Sequence, residues 1–154
     1  TGHMVFSTLH TNDAVGAVTR LFNLGIEPYL VGATVVGVLA QRLVRKLCPH
    51  CKQPIEPSPT EQRQLERLGG APVESLFRAK GCSRCRNIGF HGRIGIYELF
   101  VPEGPIAELI SAGASLHEIR EKARDAGMTA LREDGLEKVK SGITTMDEIF
   151  RATT

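Results

Sequence analysis

The sequence predicts an α/β chain, mainly α, in three consecutive parts. These are a strand with helices at 1–47, a small metal module at 48–95, and a strand followed by a helical bundle at 96–154. Three observations lead there. A short run of strand formers, "MVFSTL" from Met4 to Leu9, passes through the polar "HTNDA" into apolar residues at helical spacing. All four cysteines fall in two CxxC pairs, Cys48 with Cys51 and Cys82 with Cys85. The last third holds four short apolar patterns, each with its own start and stop signals.

Taken in order, Met4 to Leu9 is expected to be a buried strand. Thr11, Asn12 or Asp13 can cap the helix that follows; Val15, Val18 and Phe22 lie at helical spacing and Gly25 ends it. Pro28 suits a first helical turn. From there Val31, Val35, Leu39, Leu43 and Leu47 recur every four residues, which predicts one long core-facing helix. Its valines would also suit a strand, and its length decides for helix. Three prolines in the six positions from Pro54 to Pro59 exclude regular structure there, and "EQRQLERLGG" reads as a short helix stopped by Gly69 and Gly70. Residues 80–95 read as loops, and Ile96 to Val101 as a strand. In the tail, one helix runs from Pro105 to Gly113. Ser115 and Glu118 form a capping box for a second, which stops at Gly127. A third runs from a Thr129 cap to Gly142, and Thr145 with Glu148 boxes a fourth.

The two cysteine pairs stand thirty residues apart and use every cysteine of the chain. Each CxxC can fold as a knuckle offering two sulfurs to one ion. Four thiolates close the tetrahedral sphere of Zn²⁺ and leave no open position, which makes such a site structural. The long gap matters little, because loop-closure entropy grows slowly with length. A thioredoxin-type redox pair would need only one CxxC, and two disulfides would suit an exported protein. Metal is the reading preferred over both. Lys46, Lys52, Lys80, Arg84 and Arg86 are close enough in sequence to offset the thiolate charge. His50 and His91 are spare candidates and read as exposed loop histidines. The ion would stand in for a hydrophobic core in a module of about 45 residues.

Composition narrows the classes. Of 154 residues, 42% are apolar and 23% charged, which reads as soluble and globular. A net charge of +2 gives no global field for DNA or a membrane surface. Aromatics are few and Trp is absent, which weakens any stacking platform for single strands. A zinc-ribbon nucleic-acid binder is the alternative reading, resting on the basic run of Arg78, Lys80, Arg84, Arg86 and Arg93; that run is read mainly as counter-charge for the thiolates. The longest uncharged run, Pro28 to Gln41, is short of the roughly 20 residues of a membrane span. No secretory leader pattern is visible, so reduced thiols are expected. The chain opens without Met, and is expected to be a segment of a longer protein.

"TGHMVFSTLHTNDA" resembles the histidine box of the GspE/PilB family of type II secretion and type IV pilus assembly ATPases. "QRLVRKLCPHCK", "GCSRCRNIGFHGRIGIYELF" and "LREDGLEKVKSGITTMDEIFRAT" resemble later segments of that family in the same order. The resemblance covers essentially the whole chain. It implies that residues 1–47 are the last part of a RecA-like motor core and that the parent is a hexameric, cytoplasmic ATP hydrolase using ATP and Mg²⁺. That motor would dock peripherally on the inner membrane through a platform and the cytoplasmic domain of an assembly protein, with other subunits of a homohexamer as neighbours and no nucleic acid. "REDGLEKV" tips the resemblance toward type II secretion; the family's retraction motors usually lack the cysteine pairs.

The resemblance also assigns site residues. His10 is the candidate catalytic residue of the box and His3 the second. Thr11, Gln41 and Arg42 are candidates for the nucleotide's vicinity, the last two at the end of the expected long helix. On a regular strand the offset of seven puts His3 and His10 on opposite faces, so one at most would meet a nucleotide. No GxxxxGK[ST] phosphate loop occurs, and no acidic residue precedes the first strand to hold Mg²⁺. This stretch alone is therefore expected to have no ATPase activity.

Overall fold

A proline or a side-chain cap stands at the start of five of the seven α-helices among the described residues. The computed structural model describes residues 2–153; Thr1 and Thr154 lie outside. Among the described residues the elements are α1 (Gly16–Asn23), α2 (Pro28–Thr34), β1 (Val38–Leu47), β2 (Lys52–Ile55), α3 (Pro59–Arg67), β3 (Leu76–Ala79), a 3-10 turn at Ser83–Cys85, β4 (Phe90–Phe100), α4 (Pro105–Ser111), α5 (Leu116–Asp125), α6 (Leu131–Lys140) and α7 (Met146–Ala152). Strand β1 pairs with β4, and β2 with β3. The chain forms two compact units, one from Thr1–Ala40 with Leu99–Met128, the other from Gln41–Glu98 with Thr129–Thr154. The tail helices divide between them, two and two.

In the first unit α1, α2, α4 and α5 bury Val15, Val18, Val31, Ile106, Ile110, Ile119 and Ala123. Helix α2 begins at Pro28 as expected, and α4 at Pro105. The two approach closely at Gly32, where a Cβ would lie 2.6 Å from the Ala107 carbonyl oxygen. The Ser115 hydroxyl accepts the Glu118 N–H and the Glu118 carboxylate accepts the Ser115 N–H, so the first capping box forms and starts α5.

In the second unit β2 runs antiparallel to β3, with Lys52 opposite Ala79 and Ile55 opposite Leu76. Leu65 of α3, Leu131, Leu136 and Val139 of α6 and Met146 and Ile149 of α7 are buried. Strand β4 is fastened to α6 twice: the Tyr97 N–H donates to Asp134, and Glu98 accepts the Leu131 N–H at the helix start. No helix of the described residues is long and apolar enough to cross a membrane.

Several sequence expectations are corrected. Met4–Leu9 is not a buried strand. It has no regular structure, and Met4, Val5 and Phe6 are 66%, 77% and 93% exposed. A strand exists only where a neighbour takes its backbone hydrogen bonds, and both sheets of the described residues are made elsewhere.

The long helix from Pro28 to Leu47 does not form: α2 stops at Thr34 and β1 begins at Val38. A repeat of four is even, so it also fits a strand of period two, and β-branched residues at 34–36 and 38 favour extension. The expected core stripe is broken: Val31 and Leu47 are buried, but Leu39 and Leu43 are exposed while Ala40 and Val44 face the core instead.

The prolines at 54–59 do not preclude structure. Pro54 sits in β2, a strand of a two-stranded sheet where a lost N–H is tolerated, and Pro59 opens α3 behind a Ser58–Glu61 capping box. Strand β3 was unforeseen, and β4 starts at Phe90, inside the expected loop. The third tail helix is capped at Ala130 rather than Thr129.

Candidate functional site

Two turns bring the sulfurs together. Where β1 ends, the Cys48 N–H donates to the Gly89 carbonyl at 2.9 Å, and the Cys48 carbonyl accepts the N–H groups of Cys51 and Lys52. The second turn repeats the pattern: the Cys82 carbonyl accepts the N–H groups of Cys85 and Asn87. Arg86 and Asn87 close it in the left-handed region, at φ 53° and 61°.

All four Sγ atoms lie within 4.8 Å of one another. Cys48 and Cys82 are 3.9 Å apart, Cys51 and Cys85 3.8 Å, and Cys82 and Cys85 3.7 Å. Disulfide sulfurs would stand about 2.05 Å apart, and all four cysteines are free. An ion bonded to four sulfurs at about 2.3 Å separates them by about 3.8 Å in a tetrahedron. The cluster has the spacing of a metal site, and its residues could hold a metal ion.

Electrostatics move two of the sulfurs in opposite directions. Burial pushes the Cys51 thiol up to about 12, against the Gly81 N–H, and the neighbouring thiols add to the rise. Burial also acts on Cys85, but the N–H groups of Cys82 and Gly89, each 3.2 Å from its sulfur, and the adjacent thiols bring it down to about 6. Loading a cation would drive the remaining protons off. Of the cations expected to offset the thiolates, Lys52 is engaged elsewhere: its ammonium donates to the Gly142 carbonyl at 2.9 Å and lies 5.0 Å from the centre of the Phe77 ring. His50 and His91 are exposed, and the Arg84 guanidinium lies 3.2 Å from Nε2 of His50.

The nucleotide candidates fall in different units. His3 and His10 are exposed on a segment without regular structure, so the strand argument about their faces does not apply. Thr11 is half-buried, and its hydroxyl donates to the Asp13 carbonyl at 2.9 Å. Gln41 and Arg42 lie on β1 instead of a helix end. Gln41 donates to the Tyr97 hydroxyl at 3.3 Å and Arg42 to the Gln41 carbonyl at 3.0 Å. As neighbours on a strand they point to opposite faces.

Two charged groupings went unread in the sequence. Glu148, read as half of a capping box, is 2% exposed and takes the Arg45 N–H at 2.9 Å and the Arg45 guanidinium at 2.6 Å. Asp13, read as one of three possible caps, pairs with Arg120 at 2.7 Å. Sequence marked one member of each pair; nothing local marked the partner.

The family described as "Type II/IV secretion system protein" matches residues 1–151 of this chain. The chain belongs to that family. Its relatives within the type II/IV secretion family come from both of the systems that the sequence resemblance suggested. It is 48% identical to the type IV pilus assembly ATPase PilB of Thermus thermophilus, over 99% of this chain and 17% of that protein. It is 47% identical to the type II secretion system ATPase E of Vibrio cholerae, over 99% of this chain and 30% of that protein. The type IV pilus assembly ATPase PilB of Myxococcus xanthus is 44% identical, again over 99% of this chain and 27% of the relative. The chain thus spans 17% to 30% of the length of these family members. Identities of 48% and 47% do not separate pilus assembly from type II secretion.

Proposed function

We propose that this chain is the C-terminal part of a hexameric, RecA-like ATPase motor that powers type II secretion or type IV pilus assembly. The observation that carries the reading is the alignment of 99% of the chain with proteins named as ATPases of those two systems. Residues 1–47 would complete the motor core with the histidine box, 48–95 would supply the metal module, and 96–154 the strand and helical tail. The phosphate cradle and the acidic partner of Mg²⁺ lie elsewhere in the longer protein, since phosphoryl transfer needs both and this stretch carries neither. The motor works in the cytoplasm, held to the inner membrane through a platform and an assembly protein.

Cys48, Cys51, Cys82 and Cys85 would hold Zn²⁺. Sulfur spacings of 3.7 to 3.9 Å and the burial of three of the four support a closed, structural site. When bound, the ion supplies folding energy and no chemistry. Within the box, His10 is the residue proposed to meet the nucleotide, with Thr11 beside it.

The test compares ATP turnover by the full-length protein with turnover by this chain alone, both purified free of other ATPases. Turnover by the former and none by the latter is expected. Hydrolysis by the isolated chain, or an inert full-length protein, overturns the reading.

A further inference from the structure

The boundary between an exposed segment and a packed helix lies beside His10. Residues 3–10 are exposed, whereas Ala14, Val15, Ala17 and Val18 are at most 1% exposed. Between them stands Asp13, and both of its carboxylate oxygens are used. Oδ1 accepts the N–H of Gly16, the first residue of α1, at 2.7 Å. Oδ2 accepts from the Arg120 guanidinium of α5 at 2.7 Å. The Asp13 carbonyl meanwhile holds the Thr11 hydroxyl. Residue 16 leaves room for this arrangement because it is glycine: a Cβ there would lie 2.7 Å from Oδ1.

We propose that Arg120 is a positioning residue for the histidine box. Through Asp13 it fixes the chain direction at 11–13, and so the place from which His10 and Thr11 reach a nucleotide. This rests on the reading above that the box acts in ATP hydrolysis. Holding the Gly16 N–H alone does not call for the arginine, since Ser or Asn would accept it as well. Stability does not account for it either. Arg120 and Asp13 are 37% and 32% exposed, and a pair so open to water contributes little to stability. A weak link that ties a reacting segment to a packed helix acts through geometry, where an error of about 1 Å can cost up to 100-fold in rate.

The test uses the full-length protein, with ATP turnover, ATP affinity and melting temperature measured for wild type, His10→Ala, Arg120→Ala, Arg120→Lys, Asp13→Asn and the double variant Asp13→Asn/Arg120→Ala. Arg120→Ala and Asp13→Asn are each expected to lower kcat about tenfold while ATP affinity and melting stay near wild type. Arg120→Lys recovers part of the loss, and the double variant is no slower than either single one, because both remove the same link. Normal turnover in Arg120→Ala alongside a slow His10→Ala overturns the proposal. So do multiplying losses in the double variant, or a fall in turnover that merely follows a fall in melting temperature. Normal turnover in His10→Ala overturns the nucleotide reading of the box, and positioning falls with it. Amide exchange at residues 11–16 in the full-length protein reads the link separately: Arg120→Ala is expected to speed it, and unchanged exchange overturns the coupling.

Discussion

Glu148 at the start of α7 grips Arg45 of β1 twice, through the strand's own N–H and through the guanidinium. Arg151 donates to the same carboxylate at 2.6 Å, and Thr144 to the Arg45 carbonyl at 2.8 Å. The last helix is thereby fastened to a strand 103 residues earlier.

That carboxyl makes stability depend on pH. Burial alone would raise it, but the Arg45 side chain and N–H, with Arg151, bring it from 4.5 down to about 2. A group held below its unfolded value stabilises the fold above the ordinary carboxylate range. The contribution shrinks as pH falls from about 4.5 and is gone below about 2. Glu148→Gln is expected to cost about 2 kcal/mol at pH 7, the figure being tempered by the half-exposed Arg45. Urea unfolding from pH 6 down to pH 2 should show the two proteins converging; a gap that is constant with pH would refute the assignment.

Metal content should be one Zn²⁺ per chain with thiols protected. Replacing any one of Cys48, Cys51, Cys82 or Cys85 by Ser should abolish it, at a stability cost on the order of several kcal/mol. Chelation should speed amide exchange in the two knuckles and in β2 and β3, ahead of α4 and α5. Full order retained after metal removal would show that packing alone holds the module.

Gly32→Ala is expected to destabilise by about 2–3 kcal/mol, because its methyl meets the backbone of α4. At Gly37 a Cβ would lie 3.6 Å from the Phe100 carbonyl oxygen, an ordinary contact. Gly37→Ala should therefore stay much closer to wild type in thermal melting. Equal effects at the two sites would mean that helix spacing is not what Gly32 provides.

Gly142 combines two demands, a φ of +65° and the Phe77 ring 2.6 Å from where a Cβ would sit. Gly142→Ala should cost about 2 kcal/mol or more. Asparagine tolerates left-handed backbone but still carries a Cβ, so Gly142→Asn should recover little. Substantial recovery, read by chemical denaturation, would show that φ and not the ring sets the requirement.

The legible parts of this fold were those written within four residues. Pro28, Pro105, Ser115 and Thr145 marked helix starts, because a capping hydroxyl accepts an N–H three positions on and a first-turn proline presets its own φ where no N–H is needed. The cysteines were legible for a related reason: each CxxC is a local turn, and four sulfurs with none left over call for a single centre. Strands were another matter. The run 35–47 satisfied the helical and the extended pattern together, and "MVFSTL" had the composition of a strand without a partner to make it one.

By itself, then, the sequence determined the helix starts at Pro28, Pro105, Ser115 and Thr145, the family and the set of sulfurs that gather. Only the tertiary structure decided that residues 38–47 are extended, that the tail helices divide between two units, and that Glu148 serves Arg45 while Asp13 serves Arg120. The reason is range. Caps and knuckles are settled by neighbours along the chain, whereas β1 takes its partner strand from residues 90–100, and Glu148 and Asp13 find their arginines 103 and 107 positions away, so nothing local names them.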